Sequence, residues 1–293
     1  MHAKTLLMIV NPTAGRSKPR GPLYDAVAAL SQAGYLLSIH NTTSPDDAAK
    51  TAAAYGGNFD AVVAVGGDGT LNQVVSGLMT LERRPLLGYI PHGSTNDFAA
   101  SLHLPTDPAE AAAQIIHGPR RQLDIGRWNE RHFVYVASFG AFARSSYAAP
   151  QAAKNALGHF AYILEGMKDL NSLRPYQVKL TADGENLDGE YLFGAVSNST
   201  SIGGLMKLDP DRVVLDDGKF ELLLVPNPRT PADLPNLVLA LLNQEYDRLL
   251  LRHVSSLRLE TAGDLPWSLD GEYAPSVPVV EIENLHRALT MLL

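Results

Sequence analysis

Residues 62–72 read Val62-Val63-Ala64-Val65-Gly66-Gly67-Asp68-Gly69-Thr70-Leu71-Asn72. An apolar, β-branched run ends in three glycines, an aspartate and a threonine, and a helical pattern then begins at Leu71. This pattern is typical of a buried strand that delivers a phosphate-binding turn. Glycines leave backbone N–H groups open to a polyphosphate, and the N-terminus of the following helix favours negative charge. The stretch therefore predicts nucleotide chemistry.

The N-terminal half around this stretch alternates between strand and helix patterns. Strands are predicted over residues 5–10, 35–40, 61–65 and 86–90, and helices over 23–33, 45–54, 71–78 and 109–116, with a further short helix after residue 96. Such alternation favours an α/β domain built on a doubly wound parallel sheet.

The pattern changes after Leu123-Asp124-Ile125-Gly126 to strands separated by turn residues. Strands are predicted over residues 133–139, 176–181, 191–198, 220–225 and 254–260, and helices over 152–170 and 234–244. A mainly antiparallel β-sandwich is the expected C-terminal domain, which places the two domains at residues 1–126 and 127–293. The strand-like stretches 277–282 and 288–293 could close the second sheet or return to the first domain.

The amino-acid composition excludes some kinds of site and disfavours some kinds of partner. The chain of 293 residues is 45% hydrophobic, carries a net charge of −7 and contains no cysteine. Disulfides and thiolate metal sites are thereby excluded, and a broadly basic nucleic-acid surface is disfavoured. No apolar run reaches the roughly 18 residues that span a bilayer, so we expect a cytoplasmic protein without a transmembrane segment.

Three loops rich in glycine and hydroxyl groups follow predicted strands. They are Asn11-Pro12-Thr13-Ala14-Gly15, the glycine turn at 66–70, and Pro91-His92-Gly93-Ser94-Thr95-Asn96-Asp97. Each alone is typical of an ordinary turn, but in a parallel sheet all three would meet at the carboxyl edge, where ligands bind. A fourth motif, Leu269-Asp270-Gly271-Glu272, carries two acids and is by itself a common hairpin signal.

Six motifs in chain order resemble the diacylglycerol kinase catalytic domain family. They are Asn11-Pro12 with Gly15, the segments 66–72 and 93–99, Asp124-Ile125-Gly126, Leu215-Asp216-Asp217-Gly218, and the segment 269–272. The overall plan is similar to soluble bacterial lipid kinases of the diacylglycerol and sphingosine type, over almost the whole chain. The resemblance implies ATP- and Mg²⁺-dependent transfer of the γ-phosphate to a lipid hydroxyl, of diacylglycerol or a related lipid.

The resemblance also implies an ATP site formed by residues of the three loops, by Thr42 and by the first residues after the glycine turn. Its residues would be Asn11, Pro12, Thr13, Ala14, Gly15, Thr42, Gly66, Gly67, Asp68, Gly69, Thr70, Leu71, Asn72 and Thr95. The hydroxyls of Thr70 and Thr95 can donate to phosphate oxygens. Because a carboxylate repels phosphate, Asp68 is expected to hold Mg²⁺, with Asp97 and Asp124 in the same network.

The same resemblance implies roles for two further motifs that contain carboxylates, the segments 269–272 and 214–219. Asp270 and Glu272 are candidates for the general base, and on an extended segment they would share one face. The sequence leaves open which of the two is the base. The resemblance also implies a structural metal site formed by the Asp217 carboxylate and the backbone carbonyls of Val214 and Lys219.

Other functions stay open at the level of sequence. One alternative is an NAD kinase-like enzyme acting on a soluble acceptor, and another is a nucleotide-binding regulator without turnover. In the preferred interpretation the partner is a lipid reached by transient peripheral contact with a membrane surface, with Arg16, Lys18 and Arg20 as the attracting charges. No nucleic-acid partner is expected, and the oligomeric state is open, a homodimer being one option.

Overall fold

The structure, a computed structural model, describes residues 4–15, 21–94, 96–140, 174–202, 206–207, 213–228, 230, 233 and 249–293. Several predicted features lie outside these ranges: the helices over 152–170 and 234–244, the ATP contact Thr95, and the basic residues Arg16, Lys18 and Arg20. The chain divides into two compact units, one formed by residues 1–125 with 286–293 and the other by residues 126–285.

The described elements are as follows. The helices are α1 (Gly21–Gln32), α2 (Asp47–Tyr55), α3 (Asp68–Leu78), α4 (Asp97–Ser101) and α5 (Pro108–His117), with a 3₁₀ turn over Gly56–Asn58. The strands are β1 (Lys4–Val10), β2 (Tyr35–Asn41), β3 (Ala61–Gly66), β4 (Leu86–Pro91), β5 (Arg120–Trp128), β6 (Arg131–Phe133), β7 (Val136–Gly140), β8 (Tyr176–Ala182), β9 (Glu185–Asn186), β10 (Gly189–Ser197), β11 (Ser201–Ile202), β12 (Met206–Lys207), β13 (Phe220–Pro226), β14 (Leu250–Val254), β15 (Ser256–Glu260), β16 (Trp267–Leu269), β17 (Glu272–Ala274) and β18 (Val279–Leu292).

The N-terminal unit is a parallel sheet with the strand order β18-β4-β3-β1-β2. Every residue of β3 is buried, as expected of a central parallel strand that is covered on both faces. Helix α1 packs against α5, and helix α2 packs against α3. This arrangement confirms the predicted doubly wound α/β domain.

Helix α3 begins at Asp68, one turn before the predicted start at Leu71. Gly67 is its N-cap residue, and Asp68 lies in the first turn. A negative charge there interacts favourably with the partial positive charge at the N-terminus of the helix. Gly69 and Thr70 therefore belong to the helix, and Gly67 alone separates the end of β3 from the start of α3.

The C-terminal unit is built from antiparallel strand pairs around β10. This strand pairs with β7, β8 and β13, while β16 extends the sheet from β7 and β15 extends it from β8. Aromatic rings fill the core, with Trp267 5.9 Å from Trp128 and 5.0 Å from Phe139 between ring centroids. The mainly antiparallel β domain is confirmed.

One strand predicted as continuous, 133–139, is broken after β6. The N–H groups of Val134 and Tyr135 donate to the carboxylate of Asp270, at 2.6 and 3.0 Å, instead of joining a strand ladder. Strand pairing resumes at Val136, where β7 begins. The prediction of a single strand was wrong because a side chain 136 residues away along the chain takes the backbone donors.

A second predicted strand, 254–260, is broken for the same physical reason. The N–H groups of Ser255 and Ser256 each donate to the carboxylate of Asp183 at 2.9 Å, so β14 ends at Val254 and β15 begins at Ser256. Both aspartates occupy two-residue hairpin turns in which the Asp and the following Gly have positive φ. Asp-Gly turns thus interrupt distant strands in two places.

The Asp183 carboxylate also accepts a 3.0 Å bond from the ammonium group of Lys219. Burial by itself would raise the pKa of Asp183. The donors on Ser255, Lys219 and Ser256 outweigh burial and hold that pKa well below its ordinary value of 3.8. The charged carboxylate therefore stabilises this part of the fold.

Asp183→Asn is expected to lower the free energy of unfolding by about 1–2 kcal/mol at pH 7. Because the folded-state pKa lies below the unfolded one, the stabilisation is complete above about pH 4 and is lost as the pH falls further. Urea unfolding of both proteins from pH 7 to pH 3 measures this difference, with the exposed Asp25→Asn as control. A difference that stays constant down to pH 3 would contradict the charge-based account.

The observed strands differ from the predicted ones in two other places, at β5 and at β18. Strand β5 has no counterpart among the predicted strands. Most of the two stretches 277–282 and 288–293 lies in the single strand β18, which runs from Val279 to Leu292. Residues 279–285 of β18 belong to the C-terminal unit and residues 286–292 to the N-terminal unit. Arg287 has a φ of 50°, which explains why the periodicity of β18 is interrupted there.

Every helix that the structure describes is too short or too polar to span a lipid bilayer.

Candidate active site

Three loops of the N-terminal unit are hydrogen-bonded at the carboxyl ends of their strands. The N–H of His92 donates to the carbonyl of Gly66 at 2.7 Å, and the Asn11 amide donates to the Thr70 hydroxyl at 3.2 Å. The N–H of Thr42, after β2, donates to the carbonyl of Val10 at 2.8 Å. The structure thus brings together the loops that the sequence assigned to one edge of the sheet.

Close backbone approach explains the glycines at this edge. A Cβ atom on Gly93 would lie 2.4 Å from the Cα of Gly67 and 2.7 Å from Oδ1 of Asn96. A Cβ atom on Gly66 would lie 2.4 Å from the Thr70 hydroxyl oxygen. Side chains are excluded at these positions, so the backbone itself forms the surface that a phosphate would meet.

Gly93→Ala is therefore expected to destabilise the protein by about 1–3 kcal/mol and to weaken ATP binding, because the two loops must separate. Thermal unfolding and a KM for ATP measure the two effects. Gly57→Ala is the matched control, since its nearest neighbour would be the flexible tip of Leu81 at 3.8 Å. Equal behaviour of the two variants would show that the loops separate without cost.

The carboxylate of Asp68 accepts hydrogen bonds from the N–H groups at the start of α4. The distances are 2.9 Å from Asp97 and 3.3 Å from Phe98. Burial raises the pKa of the nearby Tyr89 phenol, and the negative charges of Asp68 and Asp97 raise it further. Asp68 and Asp97 thus lie together, and Asp68 fixes the position of the Gly-Ser-Thr-Asn-Asp loop.

Asp124 has a different neighbourhood. It is fully buried, and its Oδ1 accepts a 2.6 Å bond from the N–H of Arg287, the residue with positive φ in β18. Across the described ranges, no three acidic or histidine side chains gather as a metal-binding group. Shared metal binding by Asp68, Asp97 and Asp124 stays a prediction.

The remaining predicted ATP contacts differ in accessibility. Pro12 and Thr13 are exposed, and the Asn11 carboxamide oxygen accepts bonds from the N–H and hydroxyl of Thr13 at 3.0 and 2.8 Å. The side chain of Leu71 is buried in α3, where it packs in the core, and its predicted contact with ATP stays a prediction. Asn96, which sequence analysis left out, holds the loop by bonding both the N–H and the carbonyl of Gly93.

Asp270 is tied to the backbone of the C-terminal unit. It is 3% exposed, and its carboxylate accepts three N–H bonds, from Val134, Tyr135 and Val136, at 2.6, 3.0 and 3.0 Å. Asp270 and Gly271 form a turn with φ values of 49° and 82°. The expectation of an extended segment with both acids on one face was therefore wrong.

Glu272 starts the returning strand β17, where it pairs with Leu269 across the hairpin. Its side chain is partly exposed, in contrast to Asp270. A general base must present a carboxylate oxygen to the substrate hydroxyl. The geometry therefore favours Glu272 as the base and gives Asp270 the task of holding the segment that precedes β7.

The predicted structural metal segment lies between β12 and β13. Val214 and Asp217 are exposed, and Oδ1 of Asp217 accepts a 2.9 Å bond from the N–H of Lys219. Sequence analysis missed Glu221, two residues further, which is buried inside β13. Burial, and then the negative charge of Asp217, raise the pKa of Glu221 to about 8.

Comparison with known proteins agrees with this architecture. Residues 5–128 match the family model of the diacylglycerol kinase catalytic domain, and residues 135–293 match the YegS C-terminal NAD kinase beta sandwich-like domain. The diacylglycerol kinase of Bacillus subtilis (strain 168) is 36% identical, over 99% of this chain and 96% of that protein. The diacylglycerol kinase of Staphylococcus aureus (strain MRSA252) is 34% identical, over 97% and 90%.

A solved structure shows the same similarity in three dimensions. The crystal structure of a diacylglycerol kinase from Bacillus anthracis str. Sterne superposes with a TM-score of 0.79 at 27% identity, covering 99% of this chain and 96% of that one.

Proposed function

The chain belongs to the diacylglycerol kinase catalytic domain family and is a lipid kinase, and from this premise we propose that it transfers the γ-phosphate of ATP, with Mg²⁺, to the hydroxyl of diacylglycerol or a closely related lipid. The relatives that bear this name match over nearly their full length, which supports diacylglycerol as the first lipid to test.

The observation that carries the proposal is the loop arrangement at the carboxyl edge of the parallel sheet. Gly66, Gly67 and Gly93 present backbone without side chains, and Asn11 and Thr70 add polar groups beside them. Helix α3 directs its N-terminus toward the same turn. Backbone N–H groups and a helix N-terminus favour bound phosphate, so this unit is the proposed ATP site.

In the proposed reaction the lipid oxygen attacks the γ-phosphorus as the bond from that phosphorus to the β–γ bridging oxygen breaks, and ADP leaves. The proton of the lipid hydroxyl passes to the carboxylate of Glu272. Phosphoryl transfer of this kind depends mainly on positioning and charge neutralisation. Asp270 contributes by fixing the backbone of residues 134–136.

The residues present fit Mg²⁺ at the ATP site. The Asp68 carboxylate lies 2.9 Å from the backbone nitrogen of Asp97, and Mg²⁺ is usually held by one or two carboxylates together with phosphate oxygens and water. Bound there, the ion would neutralise charge that develops on the transferred phosphate. We keep Asp124 as a predicted member of this network and assign its observed bond to Arg287 a structural role.

The lipid acceptor is proposed to be reached by transient contact with a membrane surface. A hydroxyl at the level of lipid headgroups can be approached from water without a segment that spans the bilayer. The basic residues Arg16, Lys18 and Arg20 remain the proposed attraction to anionic lipid, although they lie outside the described residues.

A kinase assay with radiolabelled ATP and an acceptor panel tests the function. The panel contains diacylglycerol, monoacylglycerol, phosphatidylglycerol and sphingosine in mixed micelles, with NAD as a soluble acceptor. We expect label in a lipid product, dependence on MgCl₂, and none in NAD. Label in NAD alone would favour the NAD kinase-like alternative, and ATP binding without any labelled acceptor would favour a regulator.

A further inference from the structure

Ser197, the last residue of β10, is a polar residue in a fully buried position. The six residues before it, from Tyr191 to Val196, are aromatic, aliphatic or glycine. A buried hydroxyl group costs free energy unless it forms hydrogen bonds, so alanine would satisfy this position on packing alone. The contacts of the Ser197 hydroxyl therefore indicate what the residue does.

The Ser197 hydroxyl contacts backbone that lies between two strands. Val134 and Tyr135 follow the end of β6 and precede the start of β7. The carbonyl of Tyr135 accepts a bond from the Ser197 hydroxyl at 3.1 Å, and it also accepts the N–H of Asn198 at 2.9 Å. The hydroxyl lies 3.2 Å from the carbonyl of Ser199 as well, so it shares its hydrogen between two backbone acceptors.

Asp270 holds the same backbone at its N–H side. The Asp270 carboxylate accepts the N–H of Tyr135 at 3.0 Å, and the N–H of Asp270 donates to the carbonyl of Val136 at 2.8 Å. Ser197 and Asp270 thus hold Tyr135 at its carbonyl and at its N–H. Both side chains are buried, and hydrogen bonds that share a group strengthen one another in the low dielectric of a protein interior.

The position of Tyr135 affects the reaction because Asp270 begins the turn that leads to Glu272. Asp270 and Gly271 form this turn, and Glu272 is the first residue of β17. The base therefore lies two residues after a side chain that is bonded to the Tyr135 backbone. A misplacement of about 1 Å at a reacting centre can lower a rate by about 10²-fold, so a loosened Tyr135 backbone would reach the reaction through this hairpin.

We propose that Ser197 is a positioning residue for Glu272. The Ser197 hydroxyl fixes the backbone of Tyr135, and Asp270 transfers that position to the hairpin that carries the base. The inference deepens the proposed function and rests on it, because it takes Glu272 as the general base.

Ser197→Ala removes the hydroxyl and leaves the Tyr135 carbonyl bonded to the N–H of Asn198, so the variant is expected to fold. Its melting temperature should fall by about 2–4 °C. In the lipid kinase assay kcat should fall by about tenfold or more, with the KM for ATP unchanged. In the Glu272→Gln background the same change should cause no further loss of kcat, because the base that Ser197 positions is already absent.

Tyr191→Phe is the matched control in the same strand. It also removes a buried hydroxyl that donates to a backbone carbonyl, that of Leu187 at 2.8 Å. A similar fall in melting temperature is expected, with kcat at the wild-type value. The proposal is overturned if kcat stays at the wild-type value in Ser197→Ala, if both variants lose kcat equally, or if the loss in Ser197→Ala adds in full to that in Glu272→Gln.

Amide hydrogen exchange tests the same positioning without turnover. The amides of residues 134–136 and 269–272 should exchange about three- to tenfold faster in Ser197→Ala than in the wild type, and at the wild-type rate in Tyr191→Phe. Wild-type exchange in Ser197→Ala would overturn the proposal whether or not the protein phosphorylates a lipid. A wild type that labels no lipid would count against the proposed function, and the exchange rates would still decide whether Ser197 holds the hairpin.

Discussion

Glu272→Gln is expected to lower kcat for lipid phosphorylation by about 10²- to 10⁴-fold, the range over which a positioned general base contributes. Glutamine preserves the size of the side chain but cannot accept the proton of the lipid hydroxyl. The side chain is partly exposed at the start of β17, so the free energy of unfolding should stay within about 0.5 kcal/mol of the wild type.

Steady-state kinetics with diacylglycerol micelles and urea unfolding measure the two quantities separately. The KM for ATP should be unchanged, because Glu272 has no proposed role in the ATP site. An unchanged kcat would remove Glu272 as the base. If Glu272→Gln instead lost as much stability as we expect below for Asp270→Asn, the role of Glu272 would be structural.

Asp270→Asn is expected to have the opposite profile, with a loss of about 3 kcal/mol or more in the free energy of unfolding. An amide offers one oxygen and one NH₂ group where the carboxylate accepts three N–H bonds. At least one buried backbone donor among Val134, Tyr135 and Val136 would face another donor. The same change at Asp183, which is more exposed, should cost less.

Urea unfolding measures the stability of Asp270→Asn, and activity is compared after correction for the folded fraction. Residual activity of the folded protein should then exceed that of Glu272→Gln. If Asp270→Asn were as stable as the wild type and inactive, the two acids would have to exchange roles.

An element of the fold could be predicted from the sequence where neighbouring residues determine it, and could not be predicted where residues far away in the chain determine it. Before Leu123, the alternation of strand and helix patterns reflects which residues are buried within each element. The parallel sheet and the glycine turn could therefore be predicted. The breaks at Val134 and Ser255 were not, because their donors are taken by carboxylates 136 and 72 residues away. No local pattern marks such a bond.

The same limit applies to the candidate site. Motif resemblance identified the Asp270 and Glu272 pair, but only the hairpin geometry separates a carboxylate saturated by backbone donors from one that is partly exposed. Glu221 had no signal beyond being a polar residue in an apolar strand pattern. Its burial depends on β10 and β14, which are distant in sequence.

The position of strand β18 at the end of the chain determines when the N-terminal sheet can be completed during synthesis. Its residue Met291 pairs with Leu87 in the parallel sheet, and residues 286–293 belong to the N-terminal unit. A ribosome adds about 5–20 residues per second, so residues 1–125 wait on the order of ten seconds or more for the last strand of their sheet. During that time β4 lacks its β18 partner and presents unpaired backbone groups, the kind of sheet edge that can pair with another chain.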